Sequence, residues 1–188
     1  LTECIDALQI RPDGVYVAVT FGGGGHSVEI FKKLNEKGRL IVFDQDPDAK
    51  KNAWEAPNFE FVAANFAFIA NHLRLLGIKR VDGILADLGV SSHQFDEGAR
   101  GFSIREDAEL DMRMNQNGDL SALHVVNDYS EDDLFRVFKS YGEVPNVGKL
   151  VRTIMRERSK SKIATTGQLA AIGTECAPKF KDNKYNAQ

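Results

Sequence analysis

The feature that most constrains the fold is a junction. Val15 to Phe21 (VYVAVTF), a β-branched and aromatic run, passes directly into four consecutive glycines, Gly22 to Gly25. β-branched and aromatic side chains suit the pleated surface of a strand, and glycines let the backbone turn tightly after it. His26 to Lys37 (HSVEIFKKLNEK) then sets Val28, Ile30, Phe31 and Leu34 at near-helical spacing, with Gly38 as a stop. Strand and helix keep alternating downstream. Arg39 to Asp44 (RLIVFD) reads as a second buried strand, and Pro47 to Trp54 as a short helix opened by proline. Phe59 to Ala64 reads as a third strand, Phe66 to Leu76 as a helix and Val81 to Leu88 (VDGILADL) as a fourth strand. Four strands joined by three helical connections predict an α/β protein with a parallel, doubly wound sheet and right-handed crossovers.

The alternation stops after Leu88. Gly89 to Gly118 is polar, carries little apolar periodicity and is too long for a routine connection, so it is expected to be functional or disordered. From Asp119 the pattern is helical, with Asp119 to Asn127, Ser130 to Tyr141, Val147 to Ser159 and Thr166 to Cys176 as the segments. Ser130 and Asp133 form a variant of the capping box. The expected organisation is a sheet half over residues 1–118, with residues 89–118 as a long loop, and a helical segment over residues 119–188.

Composition narrows the class further. With 43% hydrophobic and 27% charged residues the chain sits at the globular norm, which argues against disorder, a collagen-like fibre or a coiled coil. Its apolar runs fall far short of the roughly 20 residues that cross a bilayer. Leu1 opens the sequence and no signal pattern follows, so a chain trimmed at its start, with the cytoplasm as its compartment, is the expectation. Cys4 and Cys176 lie far apart without metal-type spacing and read as unpaired thiols, and no metal-ligand cluster is visible. The net charge of −3 is unevenly spread: residues 149–188 hold nine of the 24 Lys and Arg but three of the 27 Asp and Glu. Such a basic flank either approaches phosphate or is an ordinary solvated helix face, and charge alone favours the second.

Gly22 to Gly25 fall where ligands bind in open α/β sheets, at the carboxyl end of the first strand. Ser27 occupies the third glycine position of G-x-G-x-x-G, and no Lys follows for a P-loop, which demotes dinucleotide and nucleoside triphosphate readings. Asp44 closes the second strand where an acid accepts hydrogen bonds from ribose hydroxyls. Asp46 is the better candidate for capping the turn at Pro47. Phe66, just after the third strand, either meets an adenine or packs as an apolar helix start. Asp87, ending the fourth strand, faces the same crevice and holds either a cofactor or a substrate amine. His93 in the following loop is a candidate base or a surface residue, and His26, His72 and His124 carry the same ambiguity.

Three stretches carry a resemblance: TFGGGGHS at Thr20 to Ser27, DGILADLGVSSHQ at Asp82 to Gln94, and RGFSIREDAELDMRM at Arg100 to Met114. Together with YGE at Tyr141 to Glu143 they resemble the family of ribosomal RNA small subunit methyltransferase H, also called MraW, over essentially the whole chain. The resemblance implies a Rossmann-like methyltransferase sheet with a helical insertion domain. It also implies use of S-adenosyl-L-methionine to methylate the exocyclic N(4) amine of a cytidine in the decoding centre of 16S rRNA. Carried over by position, the cofactor contacts fall on Gly24, Gly25, His26, Asp44, Phe66, Asp87 and Gln94. Asp87 is the candidate acceptor for the amine, or it binds cofactor while Ser91, Ser92 or a backbone carbonyl serves the base. Residues 89–118 become a cover over cofactor and target base, with Phe102 supporting the base. Arg100, Arg105 and Arg113 either meet phosphates or pair with Asp107, Glu109 and Asp111. The implied partner is 16S rRNA in the small ribosomal subunit, with no membrane, no metal, and a homodimer left open.

Two departures from the family pattern bear on this. Ala18 stands on the first strand where the pattern places Asp, and the family's remaining strands lie beyond Gln188. They motivate an alternative, a catalytically impaired module that binds cofactor or RNA without turnover. A nicotinamide-dependent oxidoreductase rests on fold analogy alone.

Overall fold

The computed structural model describes residues 1–176, so residues 177–188 of the expected helical segment, with Lys179, Lys181 and Lys184 of its basic stretch, lie outside the described residues. The chain divides into two compact units: Leu1–His93 with Met114–Gln116, and Gln94–Arg113 with the chain from Asn117 onward.

In the first unit, β1 (Val15–Ala18), β2 (Arg39–Asp44), β3 (Phe59–Ala63) and β4 (Gly83–Leu85) form one sheet. All neighbours are parallel and the order is β3-β2-β1-β4. This is the expected Rossmann-like α/β arrangement. Leu40, Ile41, Val42 and Phe43 are wholly buried, as befits a strand covered on both faces. Because successive side chains alternate, β1 and β2 supply two cores. Tyr16, Ala18, Leu40 and Val42 pack with Ile30 and Phe21 on one face. There Phe21, Phe31, Trp54, Phe59 and Phe61 form an aromatic cluster in which Trp54 stacks on Phe59 at 4.1 Å. Val17, Val19, Ile41 and Phe43 pack against Ile69, Leu73 and Leu76 on the other.

Several expected elements are shorter than the sequence pattern implied, β1 among them, which ends at Ala18 rather than Phe21. A first helix not anticipated from sequence, α1 (Thr2–Ala7), precedes the sheet with Ile5 as its buried residue. α2 (Gly25–Lys32) ends well before Lys37, because the Asn35 carboxamide oxygen accepts from the amides of Lys37 (2.8 Å) and Gly38 (3.2 Å). Pro47 to Trp54 yields one 3-10 turn, Ala49–Asn52, with Asp46 accepting from the Asp48 amide at 3.0 Å as expected of it. Phe66 to Leu76 opens as a 3-10 turn capped by Asn65 and continues as α3 (Ile69–Leu75). β4 pairs over Gly83–Leu85 rather than Val81 to Leu88. Among the described residues it has β1 as its one neighbour, and Asp82 is drawn off to Arg11 and the Val15 amide.

α4 (Ser92–Asp96) opens in the first unit and ends in the second. The second unit holds α5 (Ala122–Asp128), α6 (Glu131–Ser140), α7 (Val147–Arg158) and α8 (Thr166–Cys176), close to the expected segments. Their apolar stripes meet in a core that includes Val126, Leu134, Val151, Ile154 and Ile172. The Ser130 hydroxyl accepts from the Asp133 amide (3.1 Å), making the expected cap, and His124 Nδ1 accepts from the Ser121 amide at the start of α5. Residues 94–113, from the polar stretch, are folded into this unit. Leu110 is buried in its core, the Leu110 amide donates to the Ala164 carbonyl (2.9 Å), and the Thr166 amide donates to Ala108 (2.9 Å).

Candidate functional site

The strand order fixes where a ligand has access. The chain runs from β1 outward through β2 to β3 and then returns to place β4 on the other side of β1. This makes the β1/β4 boundary the topological switch point, where connections leave a crevice at the carboxyl ends of the strands. The glycine loop, Asp44 at the end of β2 and Asp87 after β4 lie at that edge, whereas Ala18 is within β1 and His72 within α3.

The glycine loop is shaped by its backbone. Gly22 and Gly24 have φ of +51° and +80°, a region that disfavours L side chains, and a Cβ on Gly24 would lie 3.1 Å from the Phe21 ring. Gly23 and Gly25 would meet nothing within 4 Å, so the space beside the loop is open. Gly24 caps α2, leaving the first-turn amides of Gly25, His26 and Ser27 without intrahelical acceptors. Ser27 Oγ is buried with no hydrogen-bond partner among the described residues.

Asp44, at the end of β2, reaches back to this loop. Its Oδ2 accepts from the Gly22 amide (2.8 Å) and its Oδ1 from the Asp46 amide (2.9 Å), while Asn52 donates to the Gly22 carbonyl (3.0 Å). A carboxylate has about four acceptor positions, so capacity is left for further donors. Across the switch point, the Asp87 amide donates to Thr20 Oγ1 (3.2 Å), and its carboxylate faces His26 Nδ1 at 3.5 Å with 68% of the side chain exposed. Phe66 is 39% exposed, an apolar surface after β3. Gln45 and Asn65 are joined at 3.0 Å beside it, and His93 Nε2 lies 3.6 Å from Asp48, which also pairs with Lys51 (2.6 Å). The Asp48 carboxylate raises the Lys51 pKa.

The structure thus brings Gly24, Gly25, His26, Asp44, Phe66 and Asp87 to one edge of one unit. Gln94 is buried at 5% exposure and belongs to the second unit. Asn52 and Thr20 were not singled out in the sequence. Thr20 carried a signal, as the last polar residue before the glycines, whereas Asn52 reaches Gly22 across thirty positions and carried none. Ala18 has no exposed surface and sits among apolar neighbours, so no acid lies under the loop there.

The arginines of the second unit divide. Arg113 grips Asp111 through both carboxylate oxygens (2.6 and 2.9 Å) and donates to the Gly118 carbonyl, and Arg100, 4% exposed, donates to the Arg113 carbonyl. These two serve the fold, as the pairing alternative held for Arg113. The Arg113 guanidinium holds the Asp111 carboxyl below its usual range. Arg105 is exposed and stands over the Phe95 ring at 5.2 Å. Among the described residues no cluster of His, Cys, Asp or Glu is arranged to hold a metal, and no helix is long and apolar enough to cross a membrane.

A glycine loop, an acid closing the next strand and a second acid across the switch point make up the candidate site of this Rossmann-like α/β protein. Sequence comparison makes this particular: the chain belongs to the MraW methylase family, whose pattern matches residues 1–187. It is 55% identical over 188 residues to ribosomal RNA small subunit methyltransferase H of Flavobacterium johnsoniae, covering all of this chain and 62% of that protein. It is 52% identical to the protein of that name from Flavobacterium psychrophilum and 50% identical to that from Clostridium botulinum, covering 65% and 62% of them. The chain therefore spans somewhat under two thirds of the length of these relatives.

Proposed function

We propose that this chain forms the cofactor-binding part and the helical part of an S-adenosyl-L-methionine-dependent enzyme of the cytoplasm. Its substrate is 16S rRNA in the small ribosomal subunit, and its product a cytidine of the decoding centre methylated on N(4). The observation that carries the reading is the convergence of the Gly22–Gly25 loop, Asp44 and Asp87 at the β1/β4 switch point. The donor and acceptor set suits this cofactor. Asp44 keeps acceptor capacity for a ribose diol, the open side of Gly23 and Gly25 admits a ligand against the backbone, and Phe66 offers an apolar face to adenine. The exposed Asp87 carboxylate is left for the substrate amine. Gln94 is assigned to the cofactor on the strength of the family resemblance.

Bound there, the cofactor supplies a methyl group already activated by its sulfonium. The chain's own task is alignment and proton handling. A cytosine amine is a weak nucleophile because its lone pair is delocalised into the ring, so an acceptor beside it favours rehybridisation and takes the proton that must leave. Asp87 fills that role, with His26 holding the carboxylate in place. An Asp87→Asn variant keeps the shape and loses the acceptor. It is expected to lower methyl transfer to small subunits by about 100-fold or more and to leave the unfolding midpoint nearly unchanged.

Ala18 supports a second reading, a module that binds without turnover, because the buried strand offers no carboxylate beneath the loop. Calorimetric titration of the chain with S-adenosyl-L-methionine, beside Ala18→Asp and an NADH control, separates the readings. Saturable binding of S-adenosyl-L-methionine without binding of NADH is expected. Binding without methyl incorporation into small subunits supports the module, and silence from both variants sinks the cofactor assignment.

A further inference from the structure

α6 presents an aromatic ring to solvent beside two cations. Leu134 is wholly buried in the helical core, whereas its neighbour Phe135 is 38% exposed. One turn on, Lys139 places its ammonium 5.5 Å from the Phe135 ring centroid. From α7, Gly148 backs the same ring: a Cβ there would stand 4.0 Å from Phe135 Cε2 and 3.4 Å from Arg152 Nη1. Phe135 and Arg152 therefore both border a position that carries no side chain.

Glu131 and Asp132 lie one turn before Phe135 on α6, and the cations lie beyond it. Arg136 is paired with Asp133, and Arg156 and Lys160 share Glu157, but neither Lys139 nor Arg152 has an ion-pair partner among the described residues. The acids of α6, Glu131 to Asp133, stand in its first turn, while Lys139 is in its last. A partly exposed ring with the Lys139 ammonium over its face and Arg152 on α7 nearby suits a ligand that is flat and aromatic at one point and anionic on either side, the ammonium moving from ring to phosphate as the base stacks. A nucleotide in a single strand has that form, since every base offers a face for stacking and every linkage a phosphate.

We propose that Phe135, Lys139 and Arg152 form a platform for an unpaired nucleotide of RNA, the base stacking on Phe135 and the adjoining phosphates meeting the ammonium and the guanidinium. The proposal rests on the reading of RNA as substrate. It adds a contact on α6 and α7, distinct from the glycine-loop residues.

The test is fluorescence anisotropy of the chain with a labelled, unstructured 12-nucleotide RNA over a salt series. Phe135→Ala is expected to weaken binding about 5-fold or more, and Phe135→Trp to retain it. Lys139→Gln with Arg152→Gln is expected to lower the slope of log K against log salt by roughly 1.4, two phosphate contacts on a single strand. Circular dichroism melting of each variant checks folding. The proposal is overturned if Phe135→Ala and Phe135→Trp lose binding equally, if the salt slope is unchanged, or if duplex RNA binds as well as the single strand. It also fails if an acidic peptide competes as well as RNA, or if the parent chain does not bind RNA. Titration with S-adenosyl-L-methionine is read separately, so a failed platform with intact cofactor binding leaves the proposed function standing.

Discussion

Asp87 and Asp111 are the same residue type held in opposite ways. In the sheet unit Asp87 leaves most of its carboxylate in solvent and faces a histidine ring at 3.5 Å. In the helical unit Asp111 spends both oxygens on Arg113, and Asp107 likewise accepts from the Gly167 amide at 2.8 Å. The difference extends beyond two residues. At the sheet edge the loops are shaped by glycine conformations and backbone amides, which leaves acidic side chains with acceptor capacity. In the stretch 94–113, which has no apolar period to order it, Arg100, Asp107, Asp111 and Arg113 are taken up in ordering it, while Arg105 stays exposed. A motif dense in Arg, Asp and Glu is therefore not by itself a binding surface.

If this comparison holds, cohesion of the helical unit comes from its apolar core and the polar ties only set its shape. Leu134→Ala, at a wholly buried position, is expected to cost about 2–5 kcal/mol, measured by urea denaturation. A loss below about 1 kcal/mol would transfer the cohesion to the ion pairs. Next in size, Gly24→Ala puts a side chain at φ +80° against Phe21 and is expected to cost about 1–2 kcal/mol, with weaker S-adenosyl-L-methionine binding in the same sample. An unchanged melting curve would mean that the glycines do not set the loop. Ser130→Ala removes the cap of α6 and is expected to cost about 1 kcal/mol, readable as faster amide exchange in residues 131–134.

The smallest effect is one of pH. The carboxyls of Asp107 and Asp111 are held below their ordinary value, the first chiefly by the Gly167 amide and the second by Arg113. Their contribution is present above that ordinary value, about 4, and is lost as pH falls through the depressed values. The melting temperature of the chain should therefore drop in acid, and Asp111→Asn should flatten that limb. An acid limb unchanged in Asp111→Asn would remove the Arg113 tie from the pH dependence.

What could be read from the sequence follows the same division. β2 is found at Arg39–Asp44 as read, because a strand buried on both faces writes a continuous apolar run, and α8 is found at Thr166–Cys176. The edge strand β4 was overestimated, since Val81 and Leu88 carry strand-like side chains but the register with β1 covers three residues. The stretch after Leu88 was opaque for another reason. Its ties run from Ala108 and Leu110 to residues 164–166, and pairing at such separation leaves no local period. At the site, glycines and strand-end acids were legible because each sits at a position defined by its own element. The Asn52 contact to Gly22 was not, being a product of how two loops pack.

The double hold on Gly22 has a consequence for measurement. Its amide is bonded to Asp44 and its carbonyl to Asn52, so whatever competes for the Asp44 carboxylate is felt at a neighbouring peptide group. The Gly22 amide is thus a built-in reporter. Its resonance should move as the crevice fills, so a nitrogen-15-enriched chain gives occupancy without a label on the ligand.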